Sequence, residues 1–224
     1  MISQKSPREV RLMKESGRII NLVFKEVEAK LRPGMSTADV DKLALEVITR
    51  EGGTPTFKGY GGFSGNICVS VNDTLIHGIP SHREIIKDGD IVSVDVGVTK
   101  DGYVADAART FLVGNVSENA KRLVEVTEES FWYAVDNFAK PGNYIGDISH
   151  AIYEYASSRG YTLTRDYTGH GVGRKLHEAP AVPTFGTAGA SCNLREITRV
   201  TVWGVNYMKH PLYQTLERQR LVPA

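Results

Sequence analysis

An internal repeat restricts the possible folds of this chain more than any other feature. Arg32-Pro33-Gly34, followed by Asp39-Val40, a helical stretch and Gly52, recurs 108 positions later as Lys140-Pro141-Gly142, Asp147-Ile148, a helical stretch and Gly160. Pro cannot continue a helix, and Gly accepts the left-handed conformation just past a helix end, so each Pro-Gly marks a stop and a turn. A long helical pattern precedes both copies. In the first, Ser6-Pro7-Arg8-Glu9 reads as a capping box with Pro at the first helical position, and Val10, Met13, Ile20, Val23 and Val27 follow at helical spacing. In the second, the helix is expected from Ser117 to Ala139. The shorter helix of the first copy starts at Ser36 or Thr37 and stops at Gly52-Gly53. Pro-Gly turns also recur by chance, but the agreement of the flanking Asp and Gly positions favours a repeated unit of helix, turn, helix and strands. Two such halves packed face to face predict an α/β domain, more closely α+β, with pseudo-symmetry and a cleft between the halves.

Composition removes several other classes. With 224 residues, 41% hydrophobic and 24% charged, the chain is long and apolar enough for one large core or two small ones, and disorder is set aside. A balance of 27 Lys+Arg against 26 Asp+Glu offers no general attraction to nucleic acid or to an acidic membrane. The longest mainly apolar stretch, Ile91–Val98, carries Asp95 and falls far short of the roughly 20 residues that span a bilayer. Met1-Ile2-Ser3-Gln4-Lys5 leads into a charged helix without a signal-peptide core, and two cysteines, Cys68 and Cys192, make no disulfide framework. A cytoplasmic protein is expected.

The chemistry starts in a hairpin. Ile91–Val98 alternates, with Val92, Val94, Val96 and Val98 on one face and Ser93, Asp95 and Gly97 on the other. The return strand, Tyr103–Val113, carries Asp106 between Ala105 and Ala107, and the turn lies around Lys100-Asp101-Gly102. A four-residue loop sets Asp95 directly opposite Asp106; a two-residue loop makes them diagonal neighbours. Both registers put them on one face. Carboxylates about 5 Å apart at Cβ repel unless they share a proton or a cation. Metal binding is favoured over the alternatives, an ion pair of Asp106 with Arg109 or a solvated sheet edge.

Three histidines stand beside small or turn-forming residues. Gly169-His170-Gly171-Val172-Gly173 follows an expected strand, Tyr161–Thr168, and its glycines allow close approach to the imidazole. An imidazole beside two carboxylates suits Mn, Fe, Co or Zn better than Ca. As a phosphate loop the segment lacks the Walker lysine. His77-Gly78-Ile79-Pro80 and His177-Glu178-Ala179-Pro180 are the other two. Residues 59–65, with four glycines among them, form a loop before a strand over Ile67–Val71 that turns at Asn72-Asp73.

Asp95-Val96-Gly97 with Asp106, Gly169-His170-Gly171-Val172-Gly173-Arg174, His177-Glu178-Ala179-Pro180 and His77-Gly78-Ile79-Pro80 together resemble the type I methionine aminopeptidases, from about Ser6 to about Gly189. The resemblance implies the pita-bread fold, two divalent metal ions and removal of the initiator methionine from nascent polypeptides, at the ribosome, by a monomer. It assigns Asp95 and Asp106 to the metals, Asp106 as the bridge, with His170 as a nitrogen ligand. His77 and His177 would contact the scissile peptide, and Tyr60, Phe63 and Cys68 would wall the methionine pocket, for which soft and aromatic groups are apt.

The second half departs from this pattern. The family completes its site with two glutamates on a second hairpin, and displacing Asp95 and Asp106 by the repeat lands on Trp203 and Gln214. Glu196 and Glu217 are the only acids after Gly189, and Ala190-Ser191-Cys192-Asn193 breaks the family pattern. The expectation is an aminopeptidase domain over residues 1–189, with a divergent, frameshifted or truncated segment over 190–224 that leaves the second half incomplete. One metal or none then replaces two, and activity falls. An inert pita-bread homologue that binds peptides or protein, or a related Xaa-Pro peptidase, is the alternative function.

Overall fold

The computed structural model describes residues 2–191, Leu194 and the backbone of Met208–Lys209. The expectations placed on Glu196, Trp203, Gln214 and Glu217 lie outside the described residues. The chain divides into two compact units: Lys5–Glu118 with Val172–His177, and Asn119–Gly171 with the segment from Glu178 onward.

The first unit opens with α1 (Pro7–Lys30) and α2 (Thr37–Arg50). The capping box at Ser6 is formed: the Glu9 amide donates to Ser6 Oγ at 3.3 Å, and the Ser6 amide donates back to Glu9 Oε2 at 2.9 Å. Four strands follow, β1 (Thr54–Pro55), β2 (Cys68–Val71), β3 (Ile91–Lys100) and β4 (Tyr103–Leu112). β4 lies along one edge of β3, while β1 and β2 pair with opposite ends of its other edge, all antiparallel. Val92, Val94, Val96 and Val98 are fully buried beneath the two helices, with Ile19, Ile20, Val23 and Val27 of α1 and Val40, Ala44, Val47 and Ile48 of α2. Alternation therefore commits the other face of β3, with Ser93, Asp95 and Gly97, away from this core.

The second unit holds α3 (Glu118–Phe138), α4 (Ile145–Ser157), β5 (Thr162–Leu163), β6 (Thr168–Gly171), β7 (Glu178–Pro183) and β8 (Met208–Lys209). Ile145, Ile148, Ala151 and Ile152 of α4 pack with Ala134, Val182 and Leu194. The expected strand over Tyr161–Thr168 is instead two short strands with different partners, β5 on β8 and β6 on β7. The chain bends at Arg165-Asp166, two charged, exposed residues that have no place in a continuous buried strand. His170, expected just after that strand, accordingly sits within β6.

Each unit keeps the repeated order at the spacing read from the sequence: α1, α2 and β1 in one, α3, α4 and β5 in the other. The turn glycines match in conformation, with φ of 92° at Gly34 and 96° at Gly142, then 74° at Gly52 and 85° at Gly160. So do the second helix starts, where Ser36 N–H donates to Asp39 at 2.8 Å and Tyr144 N–H to Asp147 at 2.7 Å.

Candidate active site

The β3–β4 turn takes two residues, Asp101-Gly102, so Lys100 faces Tyr103, Gly97 faces Asp106 and Asp95 faces Ala108. Asp95 and Asp106 are therefore diagonal neighbours on one face, the second of the two registers the sequence allowed. Arg109 pairs with Val94, on the valine side of the sheet. Asp106 is 9% exposed, and Oδ1 of Asp95 is buried without a hydrogen-bond partner. Burial first, then the charge of Asp106 and a hydrogen bond to it, holds the Asp95 carboxyl well above the ordinary carboxylate range. Two buried carboxyl groups on neighbouring strands, with an oxygen left over, are a donor set that a divalent cation satisfies. Among the described residues, no group of three or more His, Cys, Asp or Glu side chains is assembled as a metal centre.

Cys68 is the cross-strand partner of Asp95 on β2 and lies on the same face. Burial pushes its thiol up, so it stays protonated at neutral pH and is a soft, neutral group beside the carboxyl pair. It packs in a small apolar cluster with Phe57, Val104 and Leu176, against which Phe63 lies. Gly97 makes room for this cluster, since a Cβ there would come within 2.5 Å of the Phe57 ring. Phe57, Val104 and Leu176 were not expected from the sequence. Leu176 could have been found from its place beside His177; Phe57 meets the cluster only because β1 pairs with β3 and Thr56 N–H donates to Gly97 at 2.9 Å. Tyr60, also expected in the wall, is 52% exposed and hydrogen-bonds His177.

His77 is exposed and has a left-handed backbone, φ 55°, rare for a residue with a side chain. Its neighbour holds it there. Gly78 N–H donates to the buried Ser70 hydroxyl at 3.1 Å, and its carbonyl accepts from Val69 N–H at 3.0 Å. Contact is so close that a Cβ on Gly78 would lie 2.2 Å from the Val69 carbonyl oxygen. Asp41 of α2 fixes the other approach to β2, accepting from the Asn66 and Ile67 amides at 2.7 and 3.0 Å. No pattern in the sequence pointed to Ser70 or Asp41.

His170, in the second unit, is opposite Ala181 on β7. Its Nδ1 lies 3.0 Å from the Gly171 carbonyl oxygen. A carbonyl only accepts, so Nδ1 carries the proton and Nε2 the lone pair, the tautomer a metal-binding imidazole uses.

The model for metallopeptidase family M24 matches residues 11–203. The chain belongs to metallopeptidase family M24 and has its pita-bread fold. Methionine aminopeptidase 1 of Bacillus subtilis is 48% identical over 186 residues, covering 83% of this chain and 74% of that protein. The crystal structure of methionine aminopeptidase from Thermotoga maritima aligns with a TM-score of 0.85 at 45% identity, over 87% of this chain and 78% of that one. The Xaa-Pro dipeptidase from Bacillus anthracis aligns less well, with a TM-score of 0.70 at 28% identity, over 80% of this chain and 49% of that one. Membership implies a divalent metal cofactor, which agrees with the buried, proton-sharing pair of Asp95 and Asp106. No helix among the described residues is long and apolar enough to cross a membrane.

Proposed function

We propose that this chain is a metal-dependent aminopeptidase that removes N-terminal methionine from nascent polypeptides, with low turnover. The observation that carries the reading is the Asp95–Asp106 pair on the same sheet face as a small apolar cluster containing Cys68. Similarity to methionine aminopeptidases at 45–48% identity, against 28% for the dipeptidase, favours methionine over Xaa-Pro substrates.

In this reading Asp95 and Asp106 would hold the cation, and His170 is the nitrogen donor that the family resemblance assigns. A bound Co, Mn, Fe or Zn ion would polarise the scissile carbonyl and lower the pKa of water. His77 and His177 contact the peptide, and the cluster of Phe57, Cys68, Val104 and Leu176, with Phe63 beside it, receives the methionine side chain. Trp203 and Gln214 stand where the repeat and the family call for carboxylates. Neither binds a cation or accepts a proton as glutamate does, so one ion takes the place of two. Loss of the proton acceptor alone lowers the rate by about 10²–10⁴. Residues 1–189 form the aminopeptidase domain and 190–224 a divergent tail, in a cytoplasmic monomer with no nucleic-acid specificity and no membrane partner.

The test is release of free methionine from a Met-Ala peptide with excess Mn²⁺ or Co²⁺, on protein whose mass matches the full chain. Slow, metal-dependent release is expected. Release at about 1–10³ s⁻¹, the usual range for enzymes, would show that the tail supplies the absent groups. Peptide binding without release would support an inert homologue.

A further inference from the structure

Tyr60 and His177 meet through a hydrogen bond of 2.8 Å between the phenol oxygen and Nδ1, their ring centroids 5.4 Å apart. Both belong to the first unit, and both are held from below. Tyr60 opens a turn in which Phe63 N–H donates to its carbonyl at 2.9 Å and Gly59 N–H donates to the Phe63 carbonyl at 2.9 Å. Its own amide donates at 3.0 Å to Phe57, which is buried against Gly97. Gly59, Gly61 and Gly62 have φ of 81°, 55° and 85°, so the turn depends on residues that accept the left-handed region. His177 directly follows Leu176, which is buried in the same cluster as Phe57. Three residues before Leu176, the Gly173 carbonyl accepts from Val104 N–H at 2.7 Å. The two rings thus meet on backbones anchored to one sheet.

A phenol and a neutral imidazole can bond in two ways. If O–H donates to Nδ1, the imidazole proton is on Nε2. If Nδ1–H donates to the phenol oxygen, Nε2 is bare. A phenol, with an ordinary pKa of about 10, is a much stronger acid than a neutral imidazole N–H, and the imidazole lone pair is much the stronger base. The first arrangement is therefore the stable one. We infer that Tyr60 is a positioning residue that sets His177 in its Nε2–H tautomer, so that the ring offers a peptide carbonyl oxygen a hydrogen-bond donor. This rests on the reading of His177 as a peptide-contacting group. A carbonyl oxygen only accepts, so the opposite tautomer would set lone pair against lone pair. The role is distinct from that of the apolar cluster to which Cys68 belongs and against which Phe63 packs.

The experiment is a ¹⁵N imidazole spectrum of the full chain at pH about 8.5, above the ordinary histidine value of about 6.5. His177 is assigned by its disappearance in His177→Gln. Expected in the wild type is a proton-bearing Nε2 and a pyridine-type Nδ1. In Tyr60→Phe, which keeps the exposed ring and loses only the hydroxyl, the two nitrogen shifts converge as the tautomers exchange. A proton-bearing Nδ1 in the wild type overturns the inference, whether or not the variant folds. An unchanged His177 spectrum in a Tyr60→Phe protein of native circular dichroism overturns it as well. Because no turnover is measured, failure of the aminopeptidase reading shows in the methionine assay and not here.

Discussion

Asp95 illustrates how much a single side chain can report. Its carboxyl is held above its ordinary value of 3.8 by burial and by Asp106. An acid whose folded pKa is raised stabilises the fold below its unfolded value and loses that contribution as pH climbs through the folded one. That one contribution should therefore be lost from the metal-free protein as pH rises above about 4, against the opposite trend of carboxylates such as Glu9. Asp95→Asn should flatten that decline and raise the unfolding free energy at neutral pH by about 1–3 kcal/mol, read from urea denaturation. A cation replaces the shared proton, so Mn²⁺ at about 100 times its Kd should stabilise the wild type by about 2.7 kcal/mol and leave Asp95→Asn and Asp106→Asn unchanged. Equal stabilisation of all three proteins would place the cation elsewhere. Gly78 sets a second residue-scale limit, because backbone atoms of Val69 and Ser70 occupy the space of a Cβ. Gly78→Ala should cost about 2–4 kcal/mol in the same assay.

Among the elements, α1 is tied to the sheet by its own first turn. Glu9 accepts from the Ser6 amide and hydroxyl and from the Tyr103 hydroxyl at the start of β4, the last at 2.9 Å. The Ser6 bonds first, then Tyr103, lower the Glu9 carboxyl from 4.5 to about 2. A lowered acid stabilises the fold above its unfolded value, so this contribution is present above pH 4.5 and disappears as pH falls towards about 2. Glu9→Gln should remove that step from a plot of urea midpoint against pH while leaving the other carboxylates to titrate. An unchanged acid limb would mean that the cap and the Tyr103 bond do not form in solution. The capping box was legible because all of its parts lie within four residues; the Tyr103 contact was not, since its partners are 94 positions apart. On the sheet, Val94 is fully buried, and Val94→Ala should cost about 2 kcal/mol, whereas the exposed Thr54 should tolerate Ala within about 0.5 kcal/mol.

For the molecule as a whole, the decisive quantity is metal stoichiometry. Protein dialysed against metal-free buffer after loading should retain about one ion per chain by elemental analysis, and two would mean that residues after Gly189 complete the site. What the sequence by itself determined follows from short-range causes. Pro and Gly stop helices through their own φ preferences, which is why α1, α2, α3 and α4 end where expected and why the repeat was visible. Strand alternation put Asp95 and Asp106 on one face in either register. Tertiary structure decided which register, by closing the hairpin on Asp101-Gly102, and it divided the expected strand at Tyr161–Thr168 between two partners. It also brought Phe57 and Leu176 to Cys68, seated Gly78 on Ser70, and joined Tyr60 to His177. Each of these depends on which distant backbone supplies the neighbouring hydrogen bond or fills the neighbouring volume, and local periodicity carries no record of that choice.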